Sequence, residues 1–266
     1  MNLNAKVAQR VELSPELIIL RVIPDAWELP DFKPGQFAVL GLPGSAIRTD
    51  FSDSEEQPSN PDKLIKRAYS IASSSTNKEY IEFYVALVRS GALTPRLFAL
   101  KPGDSIFLGP KFTGMFTLDM VKKTANIIML STGTGLAPYM SMIRTVLNPY
   151  KKNHFVVVHG ARHSWDLGYR SELMTLRNMC DKLTYVPVIS RPNKEMLKWS
   201  GQTGYIHNIW DDKDQLLPFK PDPSDTHVLL CGNPGMIDGM VEKLSSEGYT
   251  EHTKKSPGNI HLERYW

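Results

Sequence analysis

From Val7 to about Leu108, apolar residues recur at alternate positions in short runs broken by Gly, Pro, Asp and Ser, the pattern of an antiparallel barrel or sandwich. The runs predict strands at 6–13, 16–23, 36–42, 67–71, 80–88 and 104–108. Within 80–88, Ile81, Phe83, Val85 and Leu87 share one face, as a half-buried strand requires. One helix interrupts this half: Thr94 is its expected N-cap, Pro95 sits in its first turn, and Lys101-Pro102-Gly103 ends it. The stretch 43–66 has few apolar residues to offset the entropy of ordering it, so it reads as a long exposed loop, mobile decoration rather than a functional lid.

Beyond residue 120 the period changes. Apolar runs at 125–130, 155–158, 183–189 and 228–231 alternate with amphipathic stretches at 136–147, 170–180 and 236–247. Strands alternating with helices of this length predict a parallel sheet flanked by helices. The expected organisation is therefore two domains, a β domain over 1–120 and an α/β domain over 121–266, with no internal repeat.

Composition narrows the function. The 266 residues, 41% of them hydrophobic, have room for two cores. With 31 Lys and Arg against 28 Asp and Glu, the net charge of +3 gives no reason to expect nucleic acid as a partner. Cys180 and Cys231 are too few for a disulfide framework, a four-cysteine zinc site or an iron–sulfur cluster, so redox work needs another cofactor. The seven histidines show no metal-ligand spacing, and His159, His163, His207 and His261 read as structural or surface residues. No run approaches bilayer length and residues 1–10 hold no signal-type stretch, so no membrane association and a cytoplasmic location are expected.

Four motifs carry chemistry. Gly133-Thr134-Gly135-Leu136-Ala137-Pro138 follows an apolar run and opens a helix; glycines let a phosphate approach the backbone, and a helix N-terminus offers N–H donors, although a bare Gly-x-Gly can be only a tight turn. Cys231-Gly232-Asn233-Pro234-Gly235-Met236 lies at another strand end, where α/β sheets bind ligands, while an isolated buried cysteine can be an inert core thiol. Arg162 and Arg191 follow two further runs and suit phosphate recognition, or are solvated loop charges. In the first half, Arg67-Ala68-Tyr69-Ser70 sends a guanidinium and a flat phenol to one face of a strand, a combination able to hold a diphosphate and a planar heterocycle.

In order and spacing, Arg-x-Tyr-Ser, then Gly91-Ala92-Leu93-Thr94-Pro95-Arg96-Leu97, then Gly-Thr-Gly-x-Ala-Pro, then Cys-Gly-Asn-Pro-x-Met resembles the ferredoxin–NADP reductase family over nearly the whole chain. The likeness is greatest to the bacterial ferredoxin (flavodoxin) reductases, which also end in an aromatic tail such as Glu263-Arg264-Tyr265-Trp266. The resemblance implies an antiparallel FAD-binding β-barrel followed by a parallel NADP-binding sheet. It implies FAD contacts at Arg67 (diphosphate), Ala68, Tyr69 (isoalloxazine), Ser70 (near flavin N5), Tyr84, Ala92, Leu93 and Thr94, with Thr134 where the two cofactors meet. Tyr265 would cover the other flavin face and Trp266 would stack on adenine. For NADP(H) it implies Gly133, Thr134, Gly135, Ala161, Arg162, Ser190, Arg191, Tyr205, Cys231, Gly232 and Asn233, with Ser70, Cys231 and Glu263 tuning hydride transfer. Where bacterial relatives often carry a third arginine, this chain has Tyr205, which puts the strength of NADPH selectivity in doubt.

Flavin is the converter that such a reaction needs between a two-electron donor and a one-electron acceptor. Without cysteines for a cluster, the acceptor would be a separate ferredoxin or flavodoxin, usually acidic, steered by lysines among Lys63, Lys66, Lys101, Lys111, Lys254 and Lys255 to a monomeric enzyme. An NADH-dependent flavin or oxygenase reductase would share every flavin motif. A flavin-binding regulatory subunit normally adds a C-terminal cysteine cluster, which is missing here.

Overall fold

The computed structural model describes residues 2–150 and 152–264. They form two compact units, one covering the chain up to Thr117 together with Ala137–Thr145, the other Leu118–Leu136 and the chain from Val146 onward.

The first unit contains strands β1 (Ala5–Ser14), β2 (Leu17–Pro24), β3 (Phe37–Pro43), β4 (Leu64–Ser70), β5 (Ile81–Ala86) and β6 (Ser105–Leu108), with helix α1 (Thr94–Ala99) between β5 and β6. All pairs are antiparallel in the order β4-β3-β6-β1-β2-β5, and an Ile71–Phe83 bridge joins the end of β4 to β5. The core is filled from alternate positions, with Ile18, Leu20, Leu40, Phe83 and Ile106 fully buried and Leu97 of α1 packed among them. Each such side chain contributes about 1.5–3 kcal/mol by leaving water.

Two local expectations fail here for physical reasons. Thr94 is not the N-cap of α1, because Leu93 holds that position and the Thr94 hydroxyl donates to the Val88 carbonyl and accepts from its N–H, both at 3.0 Å. Strand β5 is not half-buried, because Glu82 and Tyr84 on its second face are covered too. Glu82, fully buried, lies opposite Arg21 of β2 and accepts from its Nε at 2.7 Å. Its other oxygen accepts at 2.6 Å from Arg144, which also donates to the Ala72 carbonyl. Arg144 belongs to helix α2 (Ala137–Val146), whose residues 137–145 pack with this unit rather than with the half of the chain in which the sequence places them.

The loop between β3 and β4 is exposed at Ile47 and Phe51, but it is more than decoration. Glu55 accepts from Arg96 at 2.9 and 3.1 Å and pairs with Arg48 at 3.1 Å, while Arg96 donates to the Gly44 and Ala92 carbonyls and Arg48 to those of Gly91 and Asp53. The Arg96 hydrogen bonds hold the Glu55 carboxyl down to about 2 from its ordinary 4.5. A depressed folded pKa gives stability that is complete above pH 4.5 and lost as pH falls toward 2. Glu55→Gln is expected to expose the loop: tryptic cleavage after Arg48 at neutral pH should speed up about tenfold as charge-assisted bonds weaken. Equal cleavage rates would show that the triad does not hold the loop.

In the second unit β7 (Asn126–Thr132), β8 (Phe155–Ala161), β9 (Leu183–Ile189), β10 (Gln202–Thr203), β11 (Thr226–Cys231) and β12 (Ile260–Glu263) form one parallel sheet in the order β10-β9-β8-β7-β11-β12. Helices α3 (Arg170–Met179), α4 (Ile206–Asp211), α5 (Lys213–Leu216) and α6 (Pro234–Ser246) complete it. Ile128, Val156 and Val228 are wholly buried on one face, and Met129, Val157 and Leu229, which point to the opposite face, are buried as well, as strands covered on both faces require. The chain runs outward from β7 to β10 and returns at β11 beside β7, so the switch point lies between the ends of β7 and β11. Strands β10 and β12 and helices α4 and α5 are too short to leave a periodic signal, and the sequence pattern misses them.

Candidate functional site

In the first unit the Arg-x-Tyr-Ser motif occupies β4, at one end of the strand order. Arg67 and Ala68 are exposed, Tyr69 is half-buried with its ring edge-on to Phe83 at 6.5 Å, and Ser70 is buried. Burial pushes the Tyr69 phenol up, so it stays neutral and presents a flat ring beside a cation. Tyr84 is buried on β5. Ala92 and Thr94 are half-buried at the start of α1, but the Leu93 side chain lies in the barrel core, which leaves only its backbone for a cofactor. An exposed guanidinium, a fixed phenol and a hydroxyl on one strand fit a diphosphate joined to a planar ring.

In the second unit, the turns after β7 and β11 meet. Gly133 has a left-handed φ of +53°, and a Cβ there would meet only open space, so its backbone is accessible. Gly135 needs to be glycine for another reason: a Cβ would collide with the Cys231 carbonyl. Gly232, at φ +132°, packs equally closely on Thr132, whose hydroxyl accepts from the Asn233 N–H at 2.8 Å. Asn233 caps α6, its side-chain oxygen accepting from Gly235 and Met236 N–H. Thr134 is half-buried between the two glycines.

Cys231 is fully buried, and parallel register sets it opposite Glu263 of β12, with Sγ 3.9 Å from the carboxylate. This juxtaposition depends on β12, which leaves no sequence signal of its own. Tyr265 and Trp266 lie outside the described residues.

Arg162 and Arg191 are exposed just beyond β8 and β9. Backbone bonds from Ser190 N–H to Ala161 and from Arg191 N–H to Arg162, both 3.0 Å, extend the sheet spacing into these loops and hold the arginines side by side. Glu195 braces the pair, accepting from the Ser164 N–H at 2.8 Å and hydroxyl at 2.6 Å. Tyr205, exposed at the start of α4, stacks on His207 at 5.6 Å. Two adjacent cations beyond a glycine turn suit a nucleotide carrying an extra phosphate. Of the other histidines, His163 stacks on Trp165 and His261 is buried 2.9 Å from His227. The sequence assigns no role to Glu82 or Glu55, and Arg96 stands in the helix-start motif without one; a carboxylate inside an apolar strand is the available signal for Glu82.

Comparison with known proteins matches residues 56–116 to the oxidoreductase FAD-binding domain and 129–242 to the oxidoreductase NAD-binding domain. A flavodoxin/ferredoxin–NADP reductase of Escherichia coli (strain K12) is 32% identical over 239 residues, 88% of each chain. A ferredoxin–NADP reductase of Azotobacter vinelandii is 31% identical, over 88% of this chain and 86% of that one. A ferredoxin NADP+ reductase of Neisseria gonorrhoeae, solved with bound FAD and NADP, shares the fold with a TM-score of 0.81 over 99% of this chain and 98% of that one, at 24% identity. A barrel and a parallel sheet with these matches define a flavin- and nicotinamide-dependent oxidoreductase. Within that class, the chain belongs to the flavodoxin/ferredoxin–NADP reductase family.

Proposed function

We propose that the protein moves hydride between NADP(H) and FAD and single electrons between FAD and a separate ferredoxin or flavodoxin. The observation that carries this is the switch point where Gly135 abuts Cys231 and Cys231 faces Glu263. Bound FAD supplies a two-electron centre that can also pass electrons singly.

The residues supply binding, orientation and charge. Arg67 would hold the FAD diphosphate, Tyr69 the isoalloxazine face, Ser70 a hydrogen bond beside the reacting nitrogen, and Tyr84 with the Ala92–Thr94 backbone the rest of the cofactor. The turn Gly133–Gly135 would take the nicotinamide dinucleotide through its backbone, with Gly232 and Asn233 flanking it. Cys231 would limit where the nicotinamide C4 can sit, and Glu263 would keep a negative charge or a proton donor at that place. Arg162 and Arg191, supported by Ala161 and Ser190, would pair with the adenosine 2'-phosphate, while Tyr205 offers a stacking surface in place of a third cation.

For the protein partner, exposed Lys63, Lys101, Lys111, Lys254 and Lys255 offer steering charge, whereas Lys66 already lies over the Phe107 ring at 4.1 Å. The reading has the enzyme acting as a monomer in the cytoplasm, a reducing compartment that suits Cys180 and Cys231, neither of which forms a disulfide. Among the described residues no helix is long and apolar enough to cross a membrane.

A visible spectrum tests the whole reading: the purified protein should be yellow with FAD and bleach on anaerobic addition of NADPH faster than with NADH. A colourless protein that takes up no FAD would sink it. Arg162→Ala and Arg191→Ala should each lower kcat/KM for NADPH about tenfold to a hundredfold and leave that for NADH unchanged. Equal losses with both donors would remove the arginines from 2'-phosphate recognition.

A further inference from the structure

His159 is wholly buried on β8, and its ring reaches the turn that follows β7. Nε2 lies 3.2 Å from the Gly133 carbonyl oxygen and Nδ1 3.5 Å from the Tyr185 hydroxyl. A carbonyl only accepts, so Nε2 carries the ring proton; Nδ1 is then the acceptor, and the Tyr185 hydroxyl donates to it. The partners thus select one tautomer of a neutral imidazole.

The surroundings keep it neutral. Burial lowers its pKa to about 4, and burial likewise pushes the Tyr185 phenol up, keeping it a donor. The neighbour opposite on β7 is Ser131, whose hydroxyl donates to the Val158 carbonyl at 3.4 Å; the neighbour opposite on β9 is Pro187. Tyr185 is the titratable group facing the ring from β9, and the charge of Arg170 acts on its phenol against the effect of burial.

A trans peptide points its C=O and N–H in opposite directions. The bond from His159 turns the Gly133 carbonyl toward its ring, so the Thr134 N–H of the same peptide points the opposite way, away from that ring. Gly133, left-handed and with open space where a side chain would be, has no side chain of its own to hold that orientation.

We propose that His159 is a positioning residue for dinucleotide binding: its Nε2–H bond to Gly133 locks the turn so that the Thr134 N–H is presented to the dinucleotide. This rests on reading Gly133–Gly135 as the nucleotide turn.

The FAD-loaded protein tests it by two routes. In 15N–1H NMR, His159 should show the Nε2–H tautomer with an exchange-protected proton, unchanged between about pH 8 and pH 5. In NADP+ titrations, His159→Leu should raise Kd about tenfold, and in turnover it should raise KM for NADPH with kcat nearly kept and the FAD spectrum unaltered. His159→Gln, whose amide can reach the same carbonyl, should stay within about threefold of the parent. An Nδ1–H tautomer, a titration at the ordinary imidazole value, or a His159→Leu protein with unchanged Kd overturns the proposal, even where a poorly folding Leu variant leaves only the NMR and Gln results. Wild-type protein that holds FAD but binds no NADP+ overturns the reading of the turn itself, and the role of His159 with it.

Discussion

Cys231→Ala is expected to slow hydride transfer from NADPH to the flavin about a hundredfold while FAD stays bound. The side chain is fully buried, its Sγ faces the Glu263 carboxylate at 3.9 Å, and its backbone carbonyl abuts Gly135. Removing the sulfur leaves that backbone junction intact, so the nucleotide turn keeps its shape. On the proposed reading, what changes is the space beside the reacting carbon: losing the sulfur would let the nicotinamide settle away from the line of transfer and would remove the group that faces Glu263. A misplacement of an ångström at the reacting atoms suffices for the expected loss. Anaerobic stopped-flow mixing with NADPH, following loss of flavin absorbance, measures the step directly. Cys231→Ser, with a similar volume and a polar atom in place, should recover part of the rate. Unchanged transfer in the alanine variant would make Cys231 a packing residue and nothing more.

Glu82→Ala is expected to destabilise the protein by roughly 3–5 kcal/mol, because it strands two half-buried guanidinium groups that share one fully buried carboxylate. Arg21 holds one oxygen at 2.7 Å and Arg144 the other at 2.6 Å. Arg144→Ala should cost less, since Glu82 keeps Arg21 directly opposite on β2. Replacing Glu82 and Arg144 together by leucine should restore much of the loss, because an uncharged pair leaves fewer charges to desolvate. Urea unfolding of the FAD-loaded protein, followed by circular dichroism, gives these differences. A Glu82→Ala cost of under about 1 kcal/mol would mean that water reaches the arginines and that the carboxylate is dispensable.

Much of the fold is legible in the chain. The alternation in 6–13 and 16–23 marks β1 and β2 to within a residue or two, and the apolar run 183–189 coincides with β9. Glycine and proline punctuation locates both turns at the switch point, because Gly133 and Gly232 adopt backbone angles that side chains resist. The motifs likewise place Arg67, Tyr69 and Ser70 on one strand, and Arg162 and Arg191 at two strand ends.

Periodicity nonetheless records only which face of an element is apolar, never what covers the other face. Glu82 therefore reads as solvent-facing, and only the packing of Arg21 and Arg144 shows it as a buried ion pair. The polar stretch 43–66 looks loose because its anchors, Arg96 and the carbonyls of Gly91 and Ala92, lie far along the chain. Leu93 falls in a cofactor motif yet spends its side chain on the core. His159 reads as a structural histidine, and the hydrogen bond to Gly133 that gives it a role spans from one strand to the turn after its neighbour.

By itself the sequence determined that there are two modules, a barrel and a helix-flanked sheet, and which residue types stand at the strand ends, since alternation, breakers and glycine turns are local properties. The tertiary structure alone decided that Cys231 meets Glu263, that Gly135 abuts Cys231, that Arg162 and Arg191 stand side by side and that α2 packs with the barrel. Those pairings join residues distant in the chain through sheet register and close packing, which no local pattern encodes.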